Sequence, residues 1–308
     1  MKKYKNIMII GIDHGFGNIK TAHCCFKSGV KQYDKEPALG SDVLVYDDKY
    51  YVIGEEHKEF KFEKVNDIDY YILTLAALAK ELKIAKLKNA RVHIAAGLPL
   101  TWVSEQKEHF REYLLQNKSV DFEFKGRQYH IEFVGADIFP QGFPAVINDL
   151  GLLKDNNMLA DIGNGTMNIM YIKNGKAVQS NSCTEKFGTN QCMVAIRERL
   201  MSMYGITLDD VTIDGIIKNG TADIPEKYME PVKEAAKEYV EGIMRRLREH
   251  GYNQELMKLY VVGGGCYMIK NFADIDPKRV IFNEDIKATA KGYELLAARK
   301  LERNGGAA

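Results

Sequence analysis

The chain is poor in the features that staple small secreted domains, anchor membranes or attract polyanions. Its five cysteines, Cys24, Cys25, Cys183, Cys192 and Cys266, are odd in number, include one adjacent pair and form no C-x-x-C. Neither a disulfide framework nor a zinc site fits that spacing, and free thiols in a reducing cytoplasm are expected. No apolar run reaches the 18 residues of a membrane-spanning helix. The basic N-terminus, MKKYKNIMIIGID, has an apolar stretch too short for a signal peptide. Lys plus Arg number 43 against 42 for Asp plus Glu, so bulk charge does not argue for direct nucleic-acid binding. The common phosphate motifs are missing too: there is no G-x-x-x-x-G-K-[ST], and no G-x-G-x-x-G follows a strand.

What is present is a long alternation of strand-like and helix-like segments. At 308 residues the chain is comfortable as two domains, and the alternation reads as α/β. Strands are expected over 7–12, 91–96, 120–125, 127–134, 158–162, 167–172 and 259–262. A strand over 19–26 should return on the first, and 42–55 should form a hairpin around Asp47–Asp48. Turns are expected at Ser28–Gly29, Lys125–Gly126 and Asn174–Gly175. Helices are expected over 67–82, 104–115 with Ser104 as N-cap, 190–203, 232–250 and 285–301. The tail, 304–308, is expected to be disordered.

The informative feature is internal. IGIDHGFGNIK (10–20) and LADIGNGTMNI (159–169) share one frame, an apolar strand, Asp-x-Gly-x-Gly and a second strand, at an offset of 148 residues. A repeat of this length points to duplicated domains. Glycines let the backbone approach a ligand, and successive N–H groups can point at one anion. Two such loops facing each other across a cleft would hold a nucleotide polyphosphate. Each loop opens on a carboxylate, which repels phosphate unless a divalent cation intervenes. Asp13 and Asp161 are therefore candidate outer ligands of Mg²⁺, acting through its waters. Lys20 would add a point charge, and Gly263-Gly264-Gly265, after a strand, a third close approach suited to the nucleoside. His14 is expected on a loop surface, Trp102 as core or ledge packing, and Arg245, Arg246 and Arg248 as a solvated helix face. The remaining histidines show no metal-ligand spacing.

These residues resemble the actin superfamily: the two hairpins its phosphate loops, VVGGGCYMI (261–269) its adenosine motif. Within it, the length, DHGFGNIK and FPQGFPAV (139–146) resemble the bacterial ParM/StbA-type actin-like ATPases, whose filaments separate plasmid copies. The resemblance implies a duplicated, ribonuclease H-like two-domain fold with nucleotide in the interdomain cleft. Domain I would span 1–155 with a small insertion at about 37–66 and the 285–301 helix packed back on it, and domain II 156–284. It implies ATP/ADP and Mg²⁺ as ligands. The first loop would bind through Asp13, Gly15, Phe16, Gly17, Asn18 and Lys20, and the second through Asp161, Gly163, Asn164, Gly165 and Thr166. Gly263, Gly264, Gly265 and Met268 would line the adenosine pocket, with Gly188 near the ribose. Gln141, where the family often has Glu, would orient the attacking water rather than act as base. Asn168 stands where relatives often carry Asp. The implied function is a cytoplasmic, nucleotide-dependent filament of this chain that segregates plasmid DNA through a DNA-bound adaptor, with no membrane partner. GTP use, a cell-shape or phage filament, and a monomeric kinase or ATPase of the same fold are the alternatives. A chaperone-type ATPase would need a substrate-binding domain after Leu301.

Overall fold

The structure is a computed structural model that describes residues 1–38, 40–55, 65 and 67–305. The chain divides into two compact units, Met1–Asn148 with Lys287–Ala308, and Asp149–Ile286.

In the first unit, β1 (Lys2–Tyr4), β2 (Ile7–His14), β3 (Asn18–Lys20), β4 (Cys25–Lys27), β5 (Val30–Tyr33), β6 (Val43–Tyr46) and β7 (Lys49–Ile53) precede α1 (Asp69–Ile84). Then come β8 (Asn89–Leu98), α2 (Val103–Leu114), β9 (Ser119–Phe124) and β10 (Arg127–Pro140). The sheet runs β4-β3-β2-β8-β10-β9-β6-β7-β5, with β1 paired to β2. Its centre, β2-β8-β10, is parallel, and β8 is buried from Val92 to Leu98, as a strand covered on both faces must be. On one side α1 is buried almost all round, from Tyr70 to Ala79. On the other lies the C-terminal helix, Ala288–Gly305, over Ile9 and Ala95.

That helix comes unusually close. A Cβ at Gly11 would overlap the Ala290 carbonyl, one at Gly97 the Tyr293 hydroxyl, and one at Gly292 the Pro144 carbonyl. Glu294, buried in the same interface, accepts from the Gly11 amide at 3.2 Å. Asp137 on β10 receives His93 of β8 at 2.9 Å and Lys300 of the helix.

The second unit has β11 (Asn156–Ile162), β12 (Met167–Lys173), β13 (Lys176–Glu185), α3 (Thr189–Tyr204), α4 (Asp210–Asn219), α5 (Glu226–Glu249), β14 (Lys258–Val262), α6 (Cys266–Phe272) and β15 (Val280–Phe282). Its five strands run β13-β12-β11-β14-β15, over a core that gathers Ile162, Ile169, Ile196, Ile213, Val240 and Val261.

Three of the four predicted turns form as backbone chemistry requires; Ser28–Gly29 makes no turn, since β4 pairs β3 and β5 pairs β7. Asp47–Asp48, Lys125–Gly126 and Asn174–Gly175 all have positive φ at both positions, the geometry that matches hairpin twist. Three more expectations need correcting, and one helix was not anticipated. The strand expected over 19–26 breaks after Lys20, because the Thr21 hydroxyl and the His23 amide and ring all turn to the buried Glu81 carboxylate of α1, and Thr21 N–H bonds Cys24 O at 2.9 Å. Ser104 is not a cap: a 3-10 turn over Leu100–Trp102 leads straight into α2, whose cap is Trp102 without a side-chain bond. Helix α4, not anticipated, is capped by Asp209 accepting from Thr212 N–H at 2.9 Å and ends at left-handed Gly220. His14 is fully buried rather than on a loop surface, with its Nε2 2.8 Å from Thr74 Oγ1. Of the insertion at 37–66, residues 39, 56–64 and 66 lie outside the described residues, as do 306–308 of the tail.

The Asp137 cluster gives a pH test of how the C-terminal helix is held. Its bonds to His93 and Lys300 outweigh burial and bring the carboxyl down from 3.8 to about 2. A lowered folded-state value stabilises above the unfolded-state value and is lost as pH falls through the folded one. Asp137→Asn should lower the Tm at pH 7, and its gap from the parent should close between pH of about 4 and about 2. An equal gap at both ends, followed by circular dichroism, would refute the ionic account.

Candidate functional site

The first glycine loop joins β2 to β3 with Asp13 opposite Lys20 and His14 opposite Ile19. Gly15 is required by closure of the turn, since a Cβ there would lie 2.7 Å from the Asn18 carbonyl oxygen. The loop is braced from behind: Ser28 Oγ donates to Phe16 O, and Ser28 N–H donates to Gly17 O at 3.2 Å. The Phe16 side chain is buried against Trp102, edge to face at 6.4 Å. Its ring therefore packs the loop down and offers no ligand surface, whereas Asn18 is exposed.

Asp13, at the end of β2, is the centre of this half. Lys20 Nζ reaches Asp13 Oδ2 at 3.1 Å, and Gln141 Nε2 donates to Asp13 Oδ1 at 3.2 Å. Gln141, just after β10, is fixed by its backbone N–H donating to Leu98 O at 2.8 Å. Lys20, seven positions from Asp13, and Gln141, 128 positions from it, are thus gathered at one carboxylate. An ionised carboxylate only accepts, so the Gln141 side-chain amide must face it with nitrogen, and its oxygen is the atom suited to accept a hydrogen bond from water.

The second loop repeats the frame. Asp161 lies opposite Asn168 across β11–β12, so Asn168 occupies the place that Lys20 holds in the first unit. Asn168 is buried, and its Oδ1 accepts from Thr184 Oγ1 at 2.8 Å. The loop carbonyls are held by the start of α3: Thr189 N–H bonds Gly163 O at 3.0 Å, Asn190 N–H bonds Asn164 O at 2.9 Å, and Gln191 Nε2 bonds Gly165 O at 3.2 Å. Gly163 N–H closes the turn on Thr166 O at 2.8 Å, and Thr166 is buried. A Cβ on Gly188 would overlap Asn164, and its carbonyl accepts from the Tyr239 hydroxyl at 2.9 Å. Gly188 is thus explained by helix docking.

The triple glycine sorts in the same way. Gly263 has φ +84, and a Cβ there would stand 2.6 Å from Ile162 O and 2.7 Å from Asp161 Oδ1; one on Gly265 would overlap the Ile162 side chain. Gly265 N–H also bonds Ile162 O at 2.9 Å. Only Gly264 has nothing within 4 Å of its Cβ direction. Met268 is fully buried in the second unit's core, so it packs there and lines no open surface.

The comparisons agree with this duplicated frame. Residues 11–143 match the family of actin-like proteins in its N-terminal domain, and residues 159–274 match the C-terminal domain of the archaeal MreB-like actin homologues. The chain belongs to the actin-like proteins. Among solved structures, this actin-like chain is similar to Ta0583, an archaeal actin homologue, in complex with ADP (19% identity, 95% of this chain and 99% of that one, TM-score 0.72). It is also similar to Bacillus thuringiensis ParM with ATP (14%, 96% and 99%, TM-score 0.70) and to the Alp12 filament (18%, 96% and 99%, TM-score 0.69). At these identities the likeness is one of fold. No curated protein matches the sequence.

Sequence reasoning missed Ser28, which braces the first loop, Glu81, which holds the Thr21–His23 segment after β3, and Thr184, which holds Asn168 on β12. Each is a single polar residue in an otherwise ordinary segment, and only Ser28, in its Ser-Gly pair, left a trace. The glycine assignment is open to direct test. Gly263→Ala and Gly265→Ala should each destabilise the protein by on the order of 2–3 kcal/mol by overpacking against β11, seen as a lower urea midpoint. Gly264→Ala should keep the parent midpoint. If all three behave alike, the steric distinction is wrong.

Proposed function

We propose that this actin-like protein is a Mg²⁺-dependent ATPase that assembles head to tail into filaments and segregates plasmid DNA through a DNA-bound adaptor. The observation that carries the reading is the gathering of Lys20 and Gln141 on the Asp13 carboxylate at the first glycine loop. A cation, a hydrogen-bonding amide and a carboxylate beside a glycine turn suit phosphoryl chemistry, in which positioning and electrostatics do most of the catalysis.

The proposed roles follow from the residues. The Gly15–Asn18 and Gly163–Thr166 loops take the phosphates, and Lys20 offsets their charge. Asp13 and Asp161 are hard oxygen donors at the two loop starts, the donor class that hydrated magnesium accepts, and would hold the ion through water; the ion would neutralise phosphate charge. Gln141 orients the attacking water through its amide oxygen. Gly264, with open space beside it, is the triple-glycine position left for the adenosine. ParM with ATP and Ta0583 with ADP, both of the same fold, support the choice of nucleotide.

Self-association is supported by the Alp12 filament of the same fold and by apolar side chains exposed on the second unit, Met201, Met203, Tyr204 and Val211. Heterologous contacts that do not close into a ring give open filaments. Hydrolysis would weaken those contacts and release subunits.

Right-angle light scattering on adding Mg-ATP, with Mg-ADP and Mg-GTP as controls, tests the reading. Scattering should rise above a critical concentration with Mg-ATP and decay as phosphate is released. Gln141→Ala should still assemble but release phosphate at least about tenfold more slowly, so that scattering persists. No rise at tens of micromolar despite ATP binding would remove the filament and favour a monomeric kinase or ATPase.

A further inference from the structure

A second cluster lies in the second unit, on the far side of the β12–β13 pairing from the Asn168–Thr184 bond. Cys183 and Glu185 are two residues apart on β13, so they share one face of the strand, while Thr184 points to the other. His250 follows α5 directly and meets them there. Its Nε2 lies 3.4 Å from Cys183 Sγ and 2.8 Å from Glu185 Oε1. One donor atom from each of the three falls within 4.8 Å of the others, and all three side chains are partly buried.

We propose that Cys183, Glu185 and His250 bind one divalent zinc-class ion, with the fourth position open to water. The donor set selects the metal: thiolate and imidazole suit zinc, while magnesium and calcium prefer oxygen alone. Tetrahedral zinc, with bonds of about 2.3 Å to sulfur and 2.0 Å to nitrogen, sets those two atoms roughly 3.5 Å apart. The observed 3.4 Å already fits. The His250–Glu185 contact must open by roughly half an ångström for the ion to enter. The carboxyl end of α5 adds the negative end of its helix dipole, and Arg246, a neighbouring cation on that helix, is engaged by Glu249 at 2.8 Å.

Burial and the Glu185 charge push the Cys183 thiol up to about 11. The thiol is therefore protonated without metal, and binding releases that proton. The bound ion would tie the end of β13 to the end of α5. Three residues beyond Glu185 the chain reaches Gly188, which docks on the second glycine loop. The sequence hides this site because its cysteine and its histidine are 67 residues apart.

Cobalt(II) titration of the reduced, chelator-treated full chain tests the proposal. One equivalent should give the thiolate-to-cobalt charge-transfer band with tetrahedral visible bands, and zinc should abolish both. Cys183→Ser should lose the charge-transfer band, Cys25→Ser should keep it, and Glu185→Gln, which keeps the local packing, should weaken cobalt at least about tenfold. Far-UV circular dichroism confirms that each variant is folded. Absence of a thiolate band in the parent chain, or its survival in folded Cys183→Ser, would overturn the site.

Discussion

Close packing against bare glycine backbone, with no room for a Cβ, is the contact from which each unit is built. In the first unit the C-terminal helix lies so close to β2 and β8 that Gly11 and Gly97 tolerate no Cβ. In the second, the start of α3 and the triple glycine close on the end of β11, at Gly188, Gly263 and Gly265. Such approaches satisfy polar backbone groups that would otherwise be buried unpaired. The first amides of α3, orphans in an isolated helix, are used up on the carbonyls of Gly163 and Asn164. Those two amides are therefore engaged within the protein itself.

The two loops share a frame but not a chemistry. Register places Lys20 opposite Asp13 and Asn168 opposite Asp161. The first pair is an ion pair; in the second, Asn168 turns its carbonyl oxygen to Thr184. Duplication thus preserved the turn, which backbone sterics demand, and let the cross-strand partner diverge. On the proposed reading the first loop brings the positive charge and the water-orienting amide, and the second brings shape and a carboxylate. Catalytic polarity would come from the divergence, while the shared turn supplies only the cradle.

What could be read in advance was whatever local backbone chemistry controls. Asp47–Asp48, Lys125–Gly126 and Asn174–Gly175 announced hairpins because few residues accept positive φ twice in succession. The Asp-x-Gly-x-Gly repeat announced duplication for a different local reason, close approach of backbone to backbone, as at Gly15 and the Asn18 carbonyl. What could not be read depended on one distant polar partner. Glu81 sits in an apolar helix and looks like a stray surface charge, yet it ends β3 by binding Thr21 and His23. His14 looks like a loop residue until Thr74, sixty residues on, takes its ring. Gly188 and Met268 resemble ligand contacts in sequence, but a docking helix and an apolar core account for them. Helix α4 is a different failure: Asp209 and Gly220 are ordinary cap signals, overlooked beside the longer helices flanking them.

The position of Gln141 shows how these contacts converge. It is not set by its own loop alone. Its backbone N–H is held by Leu98 at the end of β8, and β8 carries Gly97, where Tyr293 of the C-terminal helix arrives. Three residues further on, the Pro144 carbonyl meets Gly292 of the same helix. Gln141 therefore stands between two places where that helix bears directly on backbone. A close-packed contact of this kind cannot yield gradually, because neighbours at van der Waals distance have no slack. Displacement of the C-terminal helix would have to move the β8 end and the Phe143–Val146 turn with it, and with them the amide that donates to Asp13. The same rigidity that makes Gly11, Gly97 and Gly292 intolerant of a methyl group is what would hold a water-orienting amide in place.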